Sequence, residues 1–234
     1  MDASAEAQPS VEPQRESVES VVIRFAGDSG DGMQITGDQF TRAAALMGND
    51  FATFPDFPAE IRAPVGTTFG VSAFQINFGS SQILTAGDVP DVLVALNPAA
   101  LKVNLVDIEP GGLIIVNTSA FKPANLRKAG YEVSPLEDGS LDNYRVFDIA
   151  VTDLTVKAVE DLGLSNKDAL RCKNMWALGL VLWLFGRGRA PVLDWLREKF
   201  AKKPELAEAN IAALNAGHIY GETSELPTNI VPYK

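Results

Sequence analysis

Two stretches carry the residues best suited to chemistry. The first is Gly27-Asp28-Ser29-Gly30-Asp31-Gly32, with Gln34 just beyond it. Its glycines permit positive φ and let a ligand or another backbone approach without meeting a Cβ. The spacing is G-x-x-G-x-G, which is not the dinucleotide G-x-G-x-x-G, and no Gly-Lys-Ser/Thr follows to make an NTPase phosphate loop. Asp28 and Asp31 repel a bound phosphate unless a basic group intervenes, although carboxylates at a helix start are favourable in themselves. A plain capping turn is the alternative to a binding loop. The second stretch, Ala59-Glu60-Ile61-Arg62-Ala63-Pro64-Val65-Gly66-Thr67-Thr68, mixes charge, proline, glycine and paired hydroxyls with no helical or strand period. Such loops in compact domains are often functional; the alternative is surface ion pairs of Glu60 and Arg62.

Gly30-Asp31-Gly32 also invites a thiamine diphosphate reading, in which the Asp and a later Asn hold magnesium. The corresponding stretch, Phe54-Pro55-Asp56-Phe57-Pro58-Ala59-Glu60, contains no Asn. Magnesium requires near-octahedral oxygen coordination, so no thiamine site is expected in this chain. Cys172, the one cysteine, excludes an internal disulfide or an iron–sulfur cluster held by this chain alone and points to the cytoplasm. It reads as inert packing on an apolar helix. His218, the one histidine, lies near the end of a helical pattern, with no Ser/His/Asp or metal cluster around it.

Positioning these residues requires a strand, a loop and a helix. Val21 to Phe25 suits a buried strand, and after the glycines Phe40, Ala44 and Met47 recur at helical spacing. In an open α/β sheet this turn lies beyond the carboxyl end of a strand, where ligands bind and helix N–H groups are free. Asp50 to Phe54 predicts a second strand, with an extended loop from Pro55 to Pro58. Phe69 to Phe78 predicts a strand paired in a hairpin with Gln82 to Thr85. Asp91 to Leu96 and Leu113 to Val116 read as buried parallel strands, and Asn97-Pro98 caps a helix over 99–107. A short helix is expected from Pro123 to Ala129, with strand-like runs at Tyr131 to Val133 and Tyr144 to Ala150. From Thr152 the chain turns helical: 153–162, a buried helix capped by Ser165 or Asn166 and running through Ala169 to Phe185, with Trp176 and Trp183 in the core, and helices opened by Pro191 and Pro204, the last ending near Gly221. The order predicts an α/β fold, a three-layer α/β/α sandwich with a largely parallel, mixed sheet and a helical C-terminal part.

The chain has 234 residues, 46% hydrophobic and 21% charged, enough for a substantial core. Residues 1–20 form an expected disordered acidic tail, 21–221 the folded domain, and 222–234 a linker to a following domain. The net charge of −10 argues against nucleic acid. No apolar run reaches membrane-spanning length.

Taken together, GDSGDGMQITG (27–37), FPAEIRAPVGTTFGVSAFQINFG (57–79), TAGDVPDVLVALNPAAL (85–101) and KNMWALG (173–179) resemble the γ domain of 2-oxoacid:ferredoxin oxidoreductases. The likeness is greatest to the 2-oxoglutarate type, in which the γ domain precedes the pyrimidine-binding α domain, and it covers about Val21 to Glu225. Pyruvate-type γ subunits usually carry a Glu-Arg-Arg-Gly-like sequence where this chain has Glu60-Ile61-Arg62, and a Gly-Gly-Gln-Gly-like glycine loop. The resemblance implies oxidative decarboxylation of 2-oxoglutarate to succinyl-CoA with reduction of ferredoxin. It places thiamine diphosphate, Mg2+ and iron–sulfur clusters in the partner α domain and β subunit, and gives this chain coenzyme A binding and subunit packing. The implied contacts are Gly27, Ser29, Gly30, Asp31, Gly32 and Gln34 in the first loop and Arg62, Thr67 and Thr68 in the second. Arg62 is the natural phosphate partner, since guanidinium matches phosphate oxygens bidentately. A purely structural assembly domain and a free-standing Rossmann-type nucleotide-binding domain are the competing readings.

Overall fold

The structure is a computed structural model that describes residues 19–60, 62–224 and 226. The expected tail and linker lie almost wholly outside those residues, although Ser20 opens the first strand and Thr223 closes the last helix.

One six-stranded sheet runs in the order β2-β3-β1-β4-β5-β6. Its strands are β1 (Ser20–Asp28), β2 (Asp50–Asp56), β3 (Val71–Gly79), β4 (Val92–Ala95), β5 (Leu113–Asn117) and β6 (Arg145–Ile149). The β1–β4, β4–β5 and β5–β6 pairs are parallel, whereas β3 runs antiparallel to both β1 and β2. The mixed, largely parallel sheet therefore follows the expectation. β4 and β5 are buried along their whole length, as apolar runs covered on both faces must be.

Helices cover both faces. On one lie α1 (Met33–Leu46), α4 (Val151–Ala158), α5 (Asn166–Arg171), α6 (Lys173–Leu184), α7 (Ala190–Lys199) and α8 (Pro204–Thr223), and on the other α2 (Pro98–Asn104) and α3 (Pro123–Lys128). The first core is centred on Phe25, Phe40, Phe78 and Phe185, and Phe78 meets Phe40 and Phe185 edge to face at 5.1 and 5.5 Å between ring centroids. Asn97 caps α2 as expected, its Oδ1 accepting the Ala100 N–H at 2.8 Å. Ser165 caps α5, accepting the Asp168 N–H at 3.2 Å.

Several expectations are corrected. Residues 82–85 form no strand, because β1 and β2 already occupy both edges of β3. Instead Asn77 and Gln75 on β3 hold the segment's carbonyls at Thr85, Ala86 and Gly87. β2 extends through Pro55 to Asp56, which an edge strand allows because a missing N–H there can face outward. Tyr131 to Val133 is not a strand; the Tyr131 N–H turns back onto the Leu126 carbonyl at 2.9 Å. The helix expected over 153–162 is α4 followed by a 3-10 turn at 160–162, and that over 99–107 ends likewise at 105–107. The long helix through 169–185 is broken at Cys172 into α5 and α6. Trp176 is buried in the core, but Trp183 packs at its margin, partly exposed.

Candidate functional site

β1 and β4 are adjacent and parallel, yet α1 leaves β1 toward one face and α2 leaves β4 toward the other. In open α/β sheets such a divergence, beyond the carboxyl ends of the two strands, is where ligands bind. The glycine loop sits at that point. Gly32 supplies its last turn with φ 79°, a left-handed conformation suited to glycine, and α1 begins there without a side-chain cap. The first-turn N–H groups of a 14-residue helix thus lie beside the loop, an environment favourable to anions.

The second stretch is fastened to the first. The Gly66 N–H donates to Asp28 Oδ1 at 3.0 Å, and the Ser29 N–H donates to the Gly70 carbonyl at 3.1 Å. The two loops distinguished in sequence therefore form one surface, although 38 positions separate Asp28 from Gly66. Ser29, Gly30 and Arg62 are exposed on it, while Asp31, Gly32, Thr67 and Thr68 are half-buried and Gly27 is buried. Arg62 makes no ion pair among the described residues. The Thr67 hydroxyl donates to the Pro64 carbonyl at 2.7 Å and shapes the turn. Gln34 is a brace: its side-chain amide reaches the Asp56 carbonyl, the Ser72 hydroxyl and the Ala73 carbonyl at 3.2, 3.1 and 2.9 Å.

The carboxylates of the loop have basic company that sequence reasoning did not assign. Lys173, at the start of α6, places Nζ 2.5 Å from Asp31 Oδ1. Lys128, at the end of α3, lies close enough to stabilise the Asp28 carboxylate and reaches the Val65 carbonyl at 3.5 Å. Burial nevertheless pushes the Asp28 carboxyl above its usual value, and the nearby Asp31 charge adds to this, while the Gly66 N–H and the two lysines oppose it. Lys173 stood within one of the sequence motifs, but its partner is 142 residues away and no local signal connects them.

This chemistry suits holding an anionic ligand. It does not suit a magnesium diphosphate: Asp31 faces an ammonium where a cation would sit, and no group of three metal-binding side chains occurs among the described residues. Cys172 is buried, with its thiol pushed up to about 11 by burial and then by Asp168, so it is not a ready thiolate ligand. Among the described residues no helix is long and apolar enough to cross a membrane.

The sequence profile of the pyruvate ferredoxin/flavodoxin oxidoreductase family matches residues 22–220. The 2-oxoglutarate oxidoreductase subunit KorA of Mycobacterium tuberculosis is 60% identical over 213 residues, which make up 91% of this chain. The chain spans only 33% of that relative's length. The common γ subunit of the pyruvate/ketoisovalerate oxidoreductases of Thermococcus litoralis is 32% identical over 148 residues, covering 62% of this chain and 70% of that subunit. In fold, the chain is similar to the 2-oxoglutarate:ferredoxin oxidoreductase of Magnetococcus marinus, whose structure holds 2-oxoglutarate, coenzyme A and succinyl-CoA. The TM-score is 0.68 at 24% identity, over 93% of this chain and 33% of that one. With nearly its whole folded part matched, the chain belongs to the pyruvate ferredoxin/flavodoxin oxidoreductase family.

Proposed function

We propose that residues 21–221 are the γ domain of a 2-oxoglutarate:ferredoxin oxidoreductase, and that this domain holds coenzyme A and packs against the α domain and β subunit. The observation that carries the reading is the 60% identity to the Mycobacterium subunit across 91% of this chain. In the reaction, 2-oxoglutarate loses CO2, two electrons pass to ferredoxin, and the succinyl group is captured by the coenzyme A thiol as a thioester. Thiamine diphosphate with Mg2+ and iron–sulfur clusters, expected in the partner domains, would supply carbanion stabilisation and a path for electrons.

The part of this chain is to bind and orient. Arg62 pairs with a coenzyme phosphate, and Thr67 and Thr68 line the same segment. The loop of Gly27, Ser29, Gly30, Asp31 and Gly32 lets the ligand approach closely; the Ser29 and Asp31 N–H groups are bonded to the Gly70 and Asp28 carbonyls, which leaves those of Gly30 and Gly32 to the ligand, while Lys173 offsets Asp31 and Lys128 adds positive charge nearby. Gln34 keeps the loop in register with β2 and β3. The reading is supported by the joining of both loops at the divergence of α1 and α2, with cations beside the carboxylates that otherwise repel phosphate.

Assay of the assembled enzyme with 2-oxoglutarate, pyruvate and 2-oxoisovalerate tests the substrate, with reduction of ferredoxin as the readout. Preference for 2-oxoglutarate is expected, with no turnover by the isolated chain. Equal or better use of pyruvate overturns the assignment.

A further inference from the structure

A concavity of about 270 Å³ opens where Gly30, Asp31 and Gly32 meet α6, α7 and α8. Its walls are mostly apolar: Met175, Trp195, Phe200 and Leu206. Asn174 sits deep in it at 7% exposure. The Asn174 Oδ1 accepts the Met175 N–H at 2.9 Å, but its amide N–H groups find no acceptor among the described residues. The amide nitrogen lies so close above Gly32 that a Cβ there would come within 2.6 Å of it. At the mouth are two cations. Arg171 is 66% exposed and lies 3.9 Å from Asp168, a loose pair, and Lys199 stands 4.9 Å above the Trp195 ring. Two carboxylates line the same concavity, Asp31, which is paired with Lys173, and Asp168, which is only loosely held by Arg171.

We propose that this pocket binds a small carboxylic acid with an apolar body and a carbonyl-type oxygen at its far end. The carboxylate meets Arg171 and Lys199, the body lies against Trp195, Phe200, Met175 and Leu206, and the far oxygen accepts a hydrogen bond from Asn174. Such an occupant gives the Asn174 amide N–H groups an acceptor that the described residues do not supply. Size selects against a nucleotide or a whole coenzyme, since sites for drug-sized ligands run to about 300–1,000 Å³ and this one holds less. Gly30, Asp31 and Gly32 border both this pocket and the coenzyme A site, but the coenzyme is assigned to the face shared with residues 62–68 and the small acid to the face shared with α6, α7 and α8.

The test is calorimetric titration of the 234-residue chain with 6-oxoheptanoate, heptanoate and acetate, with Trp195 fluorescence as the local reporter. One saturable site for 6-oxoheptanoate is expected, roughly tenfold weaker binding of heptanoate, which lacks the far oxygen, and none of acetate. Arg171→Gln, an exposed change, weakens 6-oxoheptanoate roughly tenfold, and Asn174→Asp removes the preference for the oxo acid. Trp195→Phe removes the fluorescence response while calorimetric binding persists. Absence of saturable binding, equal affinity for the two longer acids, or indifference to Arg171→Gln overturns the proposal. Complete displacement by coenzyme A also overturns it, by making the pocket part of the coenzyme site.

Discussion

Asp28 shows how the loop balances its charges. Burial raises its carboxyl above 3.8, so the folded protein holds the proton more tightly than the unfolded chain does. Stability contributed by the protonated form is therefore present below 3.8 and lost as pH rises through the raised folded-state value. Asp28→Asn keeps an acceptor for the Gly66 N–H but carries no charge, so urea titrations should show this descent flattened. A wild-type profile in the variant contradicts that account. The Lys173–Asp31 pair makes the complementary case, with side chains 21% and 13% exposed. Removing one partner leaves the other charge largely desolvated, and Lys173→Met is expected to destabilise the fold by about 1–3 kcal/mol, less than the loss for a fully buried pair. The added change Asp31→Asn should recover much of that in denaturant melts; additive losses contradict coupling. At this scale the sequence was half legible. The glycines, Arg62 and the threonines stood out by type and spacing, but the lysines opposite the carboxylates are brought in by tertiary folding from 128 and 173.

Among the elements, α6 and α8 make the closest approach. A Cβ at Gly179 would stand 2.0 Å from the Leu214 carbonyl oxygen, and one at Gly217 would stand 1.9 Å from that of Trp176. Backbone meets backbone there, so the clash cannot be relieved by turning a side chain. Gly217→Ala should cost about 3 kcal/mol or more, the upper end of overpacking. Gly30→Ala, with nothing within 4 Å of its added methyl, should stay within about 0.5 kcal/mol of wild type. Equal melting temperatures for the two variants contradict the close crossing. Local signals predicted α2 well, because Asn97 and Pro98 act within one turn. Nonlocal pairing was harder to read. Residues 82–85 have strand character but no free edge of β3 to join. Similarly, the apolar run ending at Phe185 gives no sign that the chain bends at Cys172.

For the whole molecule, the alternation of strands and helices was enough to predict the layered sheet, whereas that alternation does not mark β3 as the strand that runs antiparallel to both β1 and β2. The two loops named in sequence meet because α1 and α2 depart to opposite faces, a consequence of topology that spacing along the chain does not show. We propose this meeting point as the place where the larger enzyme holds coenzyme A. Its most direct test is calorimetric titration of coenzyme A into the assembled enzyme, comparing wild type with Arg62→Ala and checking assembly by size exclusion. Loss of a charge-assisted hydrogen bond costs about 1.5–3 kcal/mol, so the variant should bind the coenzyme roughly ten- to a hundredfold more weakly. Decarboxylation measured without coenzyme A should stay nearly unchanged. An intact complex with unaltered affinity for coenzyme A would contradict the claim.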